Sequence, residues 1–242
     1  MIKGFGIFLI MLGTAALVSC ADSKTGDSNG LIPTVYYKPT IYRDRSKCSA
    51  KNMKDMIAVD GHVLTTLCEA DYDRCLMQGS CFVHHNDRVQ SFNYHSTKNS
   101  IPRFVEVNLD DCPYGYGVQN SCLDPYFSVA ADLSIYRPGD VIFVPRIVGV
   151  MMPNGEVHDG FFVIRDSGSQ IKGQGRFDFF TGFFSHLDRR NTLAHLGFGD
   201  SNHRFEYRLA KPEEAERARE NRAYPKLRPD VKHIDSQSEA EF

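Results

Sequence analysis

Residues 161–180, FFVIRDSGSQIKGQGRFDFF, decide the fold. The first apolar run in this stretch ends at Asp166, the second contains Asp178, and a segment rich in Gly and Ser separates them. Short apolar runs bounded by such segments predict β-strands. Neighbouring side chains of a strand point to opposite faces, so Phe177 and Phe179 would face a core while Asp178 points away from it. A carboxyl near apolar side chains has its charged form disfavoured, so we expect a raised pKa, as a general acid needs.

Aspartates beside turns also have a simpler interpretation. An Asp can cap a turn or pair with a nearby cation, and Arg137, Arg165 and Lys172 are candidates for such pairs. For any single Asp, the residue types alone leave both interpretations open.

Strand-like segments continue on both sides of this stretch. Gly, Pro, Asn and Asp separate them, and long amphipathic helical patterns are scarce. The pattern predicts a mainly β domain, a barrel or a sandwich with short helices. The segments are 63–67, 80–83, 89–94, 141–144, 161–164 and 204–208.

Several short motifs follow one another in order: Asp132, Arg137-Pro138-Gly139, Asp166-Ser167-Gly168, Ile171-Lys172-Gly173 and Phe177-Asp178-Phe179. This order resembles the three-aspartate (3D) domain, a double-psi β-barrel found in the lytic murein transglycosylase A group and in smaller cell-wall enzymes. Upstream, Gln78-Gly79-Ser80 and Phe92-Asn93-Tyr94 are similar to two strands of that group. The resemblance implies a six-stranded double-psi β-barrel over residues 34–210, with short helices and an N-terminal disulfide-bearing elaboration.

The sequence departs from the family pattern. Ser169-Gln170 replaces the usual Gly-Ala, and one extra residue within Gln174-Gly175 lengthens the spacing between the two later aspartates. The sequence does not decide whether that residue displaces Asp178. The large second domain that the group inserts does not fit between Tyr94 and Asp132, so we expect a compact form with a shallow, open groove.

The resemblance implies a lytic murein transglycosylase, a carbon–oxygen lyase that cuts peptidoglycan between N-acetylmuramic acid and N-acetylglucosamine and leaves 1,6-anhydro ends. Asp178 stands at the family's catalytic position, where one carboxyl acts first as acid and then as base. Asp166 would keep Asp178 protonated by like-charge proximity and stabilise the oxocarbenium-like transition state. No cofactor or metal is implied. The residues expected to line or order the groove are Asp132, Lys172, Tyr94, Gln78 and Ser80.

Two other functions remain open. The same barrel occurs in expansin-like wall proteins that bind polysaccharide without hydrolysing it, and in endoglucanase relatives that hydrolyse other glycans. Retention of all three aspartates, Asp132, Asp166 and Asp178, favours an enzyme over a binding module.

The first residues, MIKGFGIFLIMLGTAALVSC, predict an exported lipoprotein. One cation precedes an apolar run that is short for a membrane span and typical of a signal peptide. The run ends at Leu17-Val18-Ser19-Cys20, which resembles a lipobox, so residues 1–19 would be the signal and Cys20 the lipidated residue. The following Ala21 favours the outer membrane, facing the periplasm. The alternative is an ordinary signal peptide in which Cys20 is incidental.

Six cysteines follow Cys20, an even number that suits disulfides in an oxidising compartment. Cys112 and Cys122 enclose the turn-rich loop PYGYGVQNS, and we predict a disulfide between them. The alternative is a zinc site, but the chain has no Cys-x-x-Cys pair and its histidines are scattered.

The remaining segments are polar. Residues 20–33 predict a flexible tether. Residues 211–242 begin with KPEEAERARENRA, which predicts a solvated helix with Pro212 near its start, and end in a tail predicted to be disordered from Arg228. With 28 basic and 30 acidic side chains, the chain lacks the basic surface of a nucleic-acid binder. The expected partners are therefore glycan strands and, through Cys20, a membrane.

Overall fold

The computed structural model describes residues 30–44 and 47–229 as a mainly β protein, as predicted. The α-helices of the described residues are α1 (Glu69–Gln78) and α2 (Pro212–Asn221). Within the described ranges, no helix is long and apolar enough to cross a membrane. The predicted signal peptide and the lipidation at Cys20 lie outside the described residues. The strands are β1 (Ile32–Tyr36), β2 (Thr40–Tyr42), β3 (Met53–Ala58), β4 (Val63–Cys68), β5 (Ser80–His85), β6 (Arg88–Lys98), β7 (Ile101–Glu106), β8 (Ser128–Ala130), β9 (Val141–Phe143), β10 (Phe161–Asp166), β11 (Arg176–Phe180) and β12 (Arg208–Leu209).

The first sheet has six strands in the order β1-β11-β8-β10-β9-β12. Two neighbouring pairs are parallel, β1 with β11 and β8 with β10, and the other three are antiparallel. Beside the two edge strands, Leu31 and Phe205 exchange two backbone hydrogen bonds of 2.8 Å and 3.2 Å. Because Leu31 precedes β1 and Phe205 precedes β12, these bonds join the two edges and close the sheet into the predicted six-stranded barrel.

The barrel interior is apolar and rich in aromatic rings. Phe177 and Phe179 of β11 are fully buried in it, as the alternation of β11 predicts. Phe162 of β10 meets Phe179 edge to face, with ring centres 4.7 Å apart. Burial of these rings fixes the inward face of β10 and β11, and it therefore also fixes which side chains those strands turn outward.

A second six-stranded sheet is formed by the chain between β1 and β8. Its strand order is β2-β5-β6-β7-β3-β4, and α1 packs against it. It has its own apolar core, which includes Met56, Phe92 and Phe104. The predicted elaboration is thus a sheet with as many strands as the barrel. The sequence reveals the individual strands but not the sheet, because its pairing of β2 with β5 and of β3 with β7 joins distant parts of the chain.

All six cysteines of the described part of the chain form disulfides. The predicted Cys112–Cys122 bridge is confirmed and closes a loop between β7 and β8. The other two bridges hold the second sheet together: Cys48–Cys68 joins the segment before β3 to the end of β4, and Cys75–Cys81 joins α1 to β5. These two disulfides therefore secure the half of the molecule that has the smaller core.

The chain segments at the start and after the end of the barrel differ from the sequence prediction. Strand β1 begins at Ile32 and Leu31 lies in the barrel core, so the predicted tether boundary at Pro33 is wrong. The helix α2 is not fully solvated either, because Ala215 and Ala218 pack against β9 and β10. Two alanines are too small to stand out as an apolar stripe in the sequence, yet they let a helix approach a sheet closely.

The segment after α2 is ordered up to the last described residues. Arg228 donates a 2.9 Å hydrogen bond to Glu156, and Leu227 packs against the cluster that contains the Cys112–Cys122 bridge. The prediction of a disordered tail from Arg228 is therefore wrong at its start, and residues 230–242 lie outside the described part of the chain.

Candidate active site

Both aspartates of residues 161–180 flank strand β8. Asp166 of β10 and Asp178 of β11 are register partners of the same residue, Ala130, from its two sides. Neighbouring strands lie about 4.8 Å apart, so the two Cα atoms are about 10 Å apart. The barrel therefore presents two carboxyl side chains on one face, on either side of β8.

Asp178 lies on the outer face of the barrel, opposite the buried Phe177 and Phe179, as predicted. Its Oδ1 accepts a 2.6 Å hydrogen bond from Oγ1 of Thr34, directly across the β1–β11 pair. The Arg176 guanidinium donates to that same Thr34 oxygen at 2.9 Å and so turns the hydroxyl proton toward the carboxyl. No hydrogen bond from the described residues reaches Oδ2 of Asp178, which leaves this oxygen available to a ligand.

Asp166 has both carboxyl oxygens occupied. The hydroxyl of Tyr36 donates to Oδ2 at 3.0 Å, and the Ser167 N–H donates to Oδ1 at 2.8 Å. Burial raises the pKa of the Tyr36 phenol above its ordinary range, so Tyr36 stays protonated and remains a donor. Asp166 is thus fixed in orientation, whereas Asp178 is held at one oxygen only.

Both carboxyls titrate near neutrality. Burial raises the pKa of Asp178 to about 6, against the lowering effects of the Thr34 hydrogen bond and the Arg176 charge. Burial also raises the pKa of Asp166 to about 6, and the charge of Asp178 adds to the increase. The raised pKa of Asp178 agrees with the prediction. Its main cause is burial, and the predicted like-charge effect is found on Asp166.

Gly175, in the lengthened segment before β11, is held by defined contacts. The Gly175 N–H donates to the hydroxyl of Tyr136 at 3.0 Å, and its carbonyl accepts the Ile32 N–H at 2.8 Å. Its φ of +74° and a backbone oxygen 2.9 Å from where a side chain would begin both require glycine. Gly175 is thus part of the barrel wall, and Asp178 pairs with Thr34 across β1 and β11.

Asp132 ties two loops together. Its Oδ2 accepts the Gly173 N–H at 2.9 Å, and its Oδ1 accepts the N–H and the hydroxyl of Ser134 at 3.1 Å and 2.8 Å. The Gly173 N–H, followed by the two Ser134 donors, lowers the pKa of Asp132 to about 2. The ammonium of Lys172 lies 3.9 Å from Asp132 and is largely exposed. Asp132 therefore orders the loops beside the site, and contact of Lys172 with glycan stays a prediction.

Three predicted glycan-binding residues lie outside the barrel, in α1 (Gln78), β5 (Ser80) and β6 (Tyr94). Oε1 of Gln78 accepts the Tyr37 N–H at 3.2 Å, one position beyond the tyrosine that holds Asp166. The Tyr94 N–H donates to the carbonyl of Gly79, the residue after Gln78, at 2.7 Å, so Tyr94 lies beside Gln78. Tyr94 is 40% exposed. Ser80 is buried in β5, so the structure does not support its predicted contact with glycan.

Sequence reasoning missed Thr34, Tyr36 and Arg176. The one local signal is the alternation of Thr34, Val35 and Tyr36, which puts the two hydroxyl groups on one face of a strand. Their partners are distant: the hydrogen bond from Thr34 to Asp178 spans 144 positions. A single sequence does not specify such a parallel pairing, so these residues become visible only in the fold.

Lys38 is a further residue that the sequence did not single out, and it lies at the joint of the two sheets. It is fully buried, and its ammonium donates a 2.6 Å hydrogen bond to Oγ of Ser91 and lies 4.3 Å from the ring centre of Phe82. Its N–H donates to the carbonyl of Gly182 in the barrel at 2.7 Å. Burial lowers the pKa of Lys38 to about 7. Lys38 therefore links the second sheet to the barrel next to the site.

The arrangement is suited to proton transfer. A carboxyl with a raised pKa and a free oxygen can donate a proton to a ligand oxygen and take one back. A second carboxyl, held by two donors, supplies a fixed negative charge beside it. The part of the chain that the structure describes contains no group of three or more His, Cys, Asp or Glu side chains that could hold a metal ion.

A known protein family resembles part of this chain in sequence, and solved structures resemble it in fold. The 3D domain family matches residues 127–191, the segment that contains Asp166 and Asp178. The structure is similar to that of E. coli MltA with bound chitohexaose, with a TM-score of 0.50 and 16% identity over 75% of this chain and 71% of that chain. A membrane-bound lytic murein transglycosylase from Agrobacterium tumefaciens gives a TM-score of 0.48 and 14% identity, over 77% and 75% of the two chains. Comparison with curated protein sequences gives no match. The chain thus carries a 3D domain at residues 127–191 within an MltA-like fold.

Proposed function

We propose that the chain is a peptidoglycan lytic transglycosylase, which cuts between N-acetylmuramic acid and N-acetylglucosamine and leaves 1,6-anhydro ends. One observation carries the proposal: Asp178 keeps one carboxyl oxygen free on the outer face of a 3D domain while burial raises its pKa to about 6. The fold similarity to E. coli MltA, whose structure holds chitohexaose, supports a chain of N-acetylated sugars as the ligand.

Asp178 acts twice in the proposed reaction. The protonated carboxyl donates its proton from Oδ2 to the glycosidic oxygen, and the bond from that oxygen to C1 of the muramyl residue breaks, with its electron pair staying on the oxygen. The carboxylate then takes the proton of the muramyl O6 as O6 bonds to C1. Atoms balance without water, and Asp178 returns to its protonated form. This use of one carboxyl differs from ordinary glycosidases, which use two.

Asp166 is the fixed partner in this proposal. Tyr36 and Ser167 hold its two oxygens, so its charge faces the positive charge that develops at C1 without having to reorient. Because Asp166 and Asp178 interact, they titrate as a pair. The singly protonated pair is the reactive form, with the proton on Asp178.

The proposed sugar contacts rest on exposed side chains. The exposed ring of Tyr94 offers a stacking surface for a sugar face, and the exposed ammonium of Lys172 offers a hydrogen-bond donor. The side-chain NH₂ of Gln78 can donate to the glycan while its oxygen accepts the Tyr37 N–H.

The proposal includes anchoring through Cys20 to the outer membrane, on the periplasmic side. The lipobox-like residues before Cys20 support it, and three disulfides suit an oxidising compartment. Expression of the full chain with an alkyne-labelled fatty acid tests it. We expect label on the full chain and none on Cys20→Ala, while equal labelling of the two would contradict anchoring at this residue.

The activity is tested on intact peptidoglycan sacculi. The chain from residue 21 onward is incubated with sacculi, and the soluble products are analysed by mass spectrometry, beside an Asp178→Asn control. We expect anhydromuramyl ends from the wild-type chain and none from the variant.

The other functions predict different products. Reducing ends, one water heavier than anhydro ends, would indicate a hydrolase. Cosedimentation with sacculi without release of soluble glycan would indicate a polysaccharide-binding module. Either result would contradict the proposal.

A further inference from the structure

Strand β10 contains a bulge at Arg165 that decides which face of the barrel Asp166 occupies. Phe162 and Ile164 point into the barrel core. Regular alternation would send Asp166 into that core as well. The register of β10 against β8 instead shifts by one residue between Ile164 and Asp166, so Arg165 is an extra residue in the pair. The bulge turns Asp166 to the outer face, where Tyr36 reaches it.

The side chain of Arg165 is fully buried and held by four backbone carbonyls. Its Nη1 donates to the carbonyls of Cys122, Pro225 and Lys226 at 2.8 Å, 3.1 Å and 2.9 Å. Its Nη2 donates to the carbonyl of Arg222 at 3.0 Å. A guanidinium presents its donors in one plane and in fixed directions, so four acceptors determine the orientation of the whole residue. We call these four carbonyls the carbonyl cage.

The backbone of Arg165 is held from the other side. Its carbonyl accepts a 3.0 Å hydrogen bond from Oγ of Ser121. A side chain at Gly117 would begin 2.0 Å from the same oxygen, so only glycine fits there. Both residues belong to the loop that the Cys112–Cys122 disulfide closes. This loop therefore packs directly on the bulge.

We propose that Arg165 is a positioning residue, because its burial in the carbonyl cage fixes the bulge that presents Asp166 beside Asp178. The assignment rests on the proposed function of the two aspartates. It also gives a role to two segments that lie far from them in sequence: the disulfide-closed loop, and the segment after α2 that supplies three of the four carbonyls. Both support the orientation of one carboxyl.

The test compares Arg165→Lys with a matched control, Arg208→Lys, in the full chain. Lysine keeps the charge but cannot direct donors to four carbonyls. Arg208 of β12 is also a barrel arginine with fixed partners, since it donates two hydrogen bonds to Glu214, but it contacts neither aspartate. The readouts are kcat and KM on soluble glycan strands, and the titration of Asp166 followed by its carboxyl ¹³C resonance.

We expect Arg165→Lys to lower kcat about 10- to 100-fold, as displacement of a catalytic group does, with KM changed less than about twofold. The pKa of Asp166 should no longer be about 6, because the carboxyl is displaced from the Tyr36 hydroxyl. Arg208→Lys should change neither readout. The same kcat and the same Asp166 midpoint in both variants would overturn the proposal.

Gly117→Ala provides a second route to the bulge that leaves Arg165 intact. It pushes the loop off the Arg165 carbonyl, so we expect the same change in Asp166 titration, at a smaller amplitude. If Arg165→Lys does not fold, this variant decides, and an unchanged Asp166 midpoint in it overturns the proposal. The titration needs no turnover, so a wild-type chain that releases no glycan would contradict the proposed function and still leave the positioning role measurable.

Discussion

Two regions of the 3D domain use aspartate side chains in opposite ways. On the outer face, the aspartates that flank Ala130 are half-buried, and burial raises the pKa of each to about 6. In the loop that follows β8, Asp132 accepts three hydrogen bonds, led by the Gly173 N–H, and its pKa falls to about 2. The balance between desolvation and donors, rather than the residue type, decides which carboxyl can carry a proton near neutral pH.

This difference separates chemistry from architecture. Asp166 and Asp178 accept too few hydrogen bonds to offset the effect of burial on their charged forms, and one oxygen of Asp178 accepts none from the described residues. The carboxylate of Asp132 accepts three hydrogen bonds from the chain itself, so its ionised form stabilises the loops. Each of the following substitutions breaks one side of the comparison, in order of decreasing expected effect.

The largest effect is expected from Asp178→Asn. The amide keeps the size of the side chain but cannot transfer the proton, so release of anhydromuramyl products should fall about 10²- to 10⁴-fold. The measurement is product release from sacculi at pH 6, with cosedimentation as the control for binding. Wild-type release by a correctly folded variant would remove Asp178 from the mechanism.

Asp166→Asn should have the next largest effect. The variant loses the fixed negative charge that opposes the charge at C1, so we expect a loss of about 10- to 100-fold in kcat. Because the Asp178 charge contributes to the raised pKa of Asp166, the pair should titrate as a single group once one member is neutral. A two-step pH profile that survives this substitution would show that the two carboxyls are not coupled.

Thr34→Val tests how the donor on Asp178 tunes its titration. The Thr34 hydrogen bond lowers the pKa of Asp178, so its loss should raise that pKa further. The fall in activity on the alkaline side should therefore move to higher pH, with kcat at the optimum reduced about tenfold or less through lost orientation. Thr40→Val, on the second sheet, is the matched control, and an equal alkaline shift in both variants would contradict the assignment.

The smallest effects are on stability, and they have opposite signs. The pKa of folded Asp178 lies above the ordinary value of about 4, so the folded chain binds more protons between about pH 4 and 6 and loses stability as the pH rises through this window. Asp178→Asn removes this cost and should raise the free energy of unfolding at pH 7.5 by about 1–2 kcal/mol. Chemical denaturation at pH 7.5 and pH 4.5 measures this gain, which should be smaller at the lower pH.

Asp132→Asn should do the reverse. The folded-state pKa of Asp132 is lowered, so its contribution is present above about pH 4 and is lost as the pH falls toward 2. The variant should melt at a lower temperature than the wild-type chain at pH 7, and the difference should shrink in acid. A melting temperature equal to that of the wild type at pH 7 would contradict the structural role of Asp132.

The sequence predicts the parts of the site that local pattern controls. The alternation around Asp178 predicts its outward direction and raised pKa, and the loop between Cys112 and Cys122 predicts their bridge. The sequence does not predict contacts that depend on the pairing of strands distant in the chain. Thr34 and Tyr36 reach the aspartates only because β1 pairs in parallel with β11, and Asp166 faces outward only because Arg165 is an extra residue in β10. Lys38 looks like a surface lysine in the sequence and is buried only because two sheets meet there.

The most direct test of this account is one carboxyl ¹³C titration of the wild-type chain from pH 2 to pH 8, with resonances assigned through Asp132→Asn, Asp166→Asn and Asp178→Asn. The account predicts two coupled midpoints near 6, from Asp166 and Asp178, and one near 2, from Asp132. An Asp178 midpoint at or below its ordinary value of about 4 would contradict the central claim, because the carboxyl would then carry no proton to donate near neutral pH.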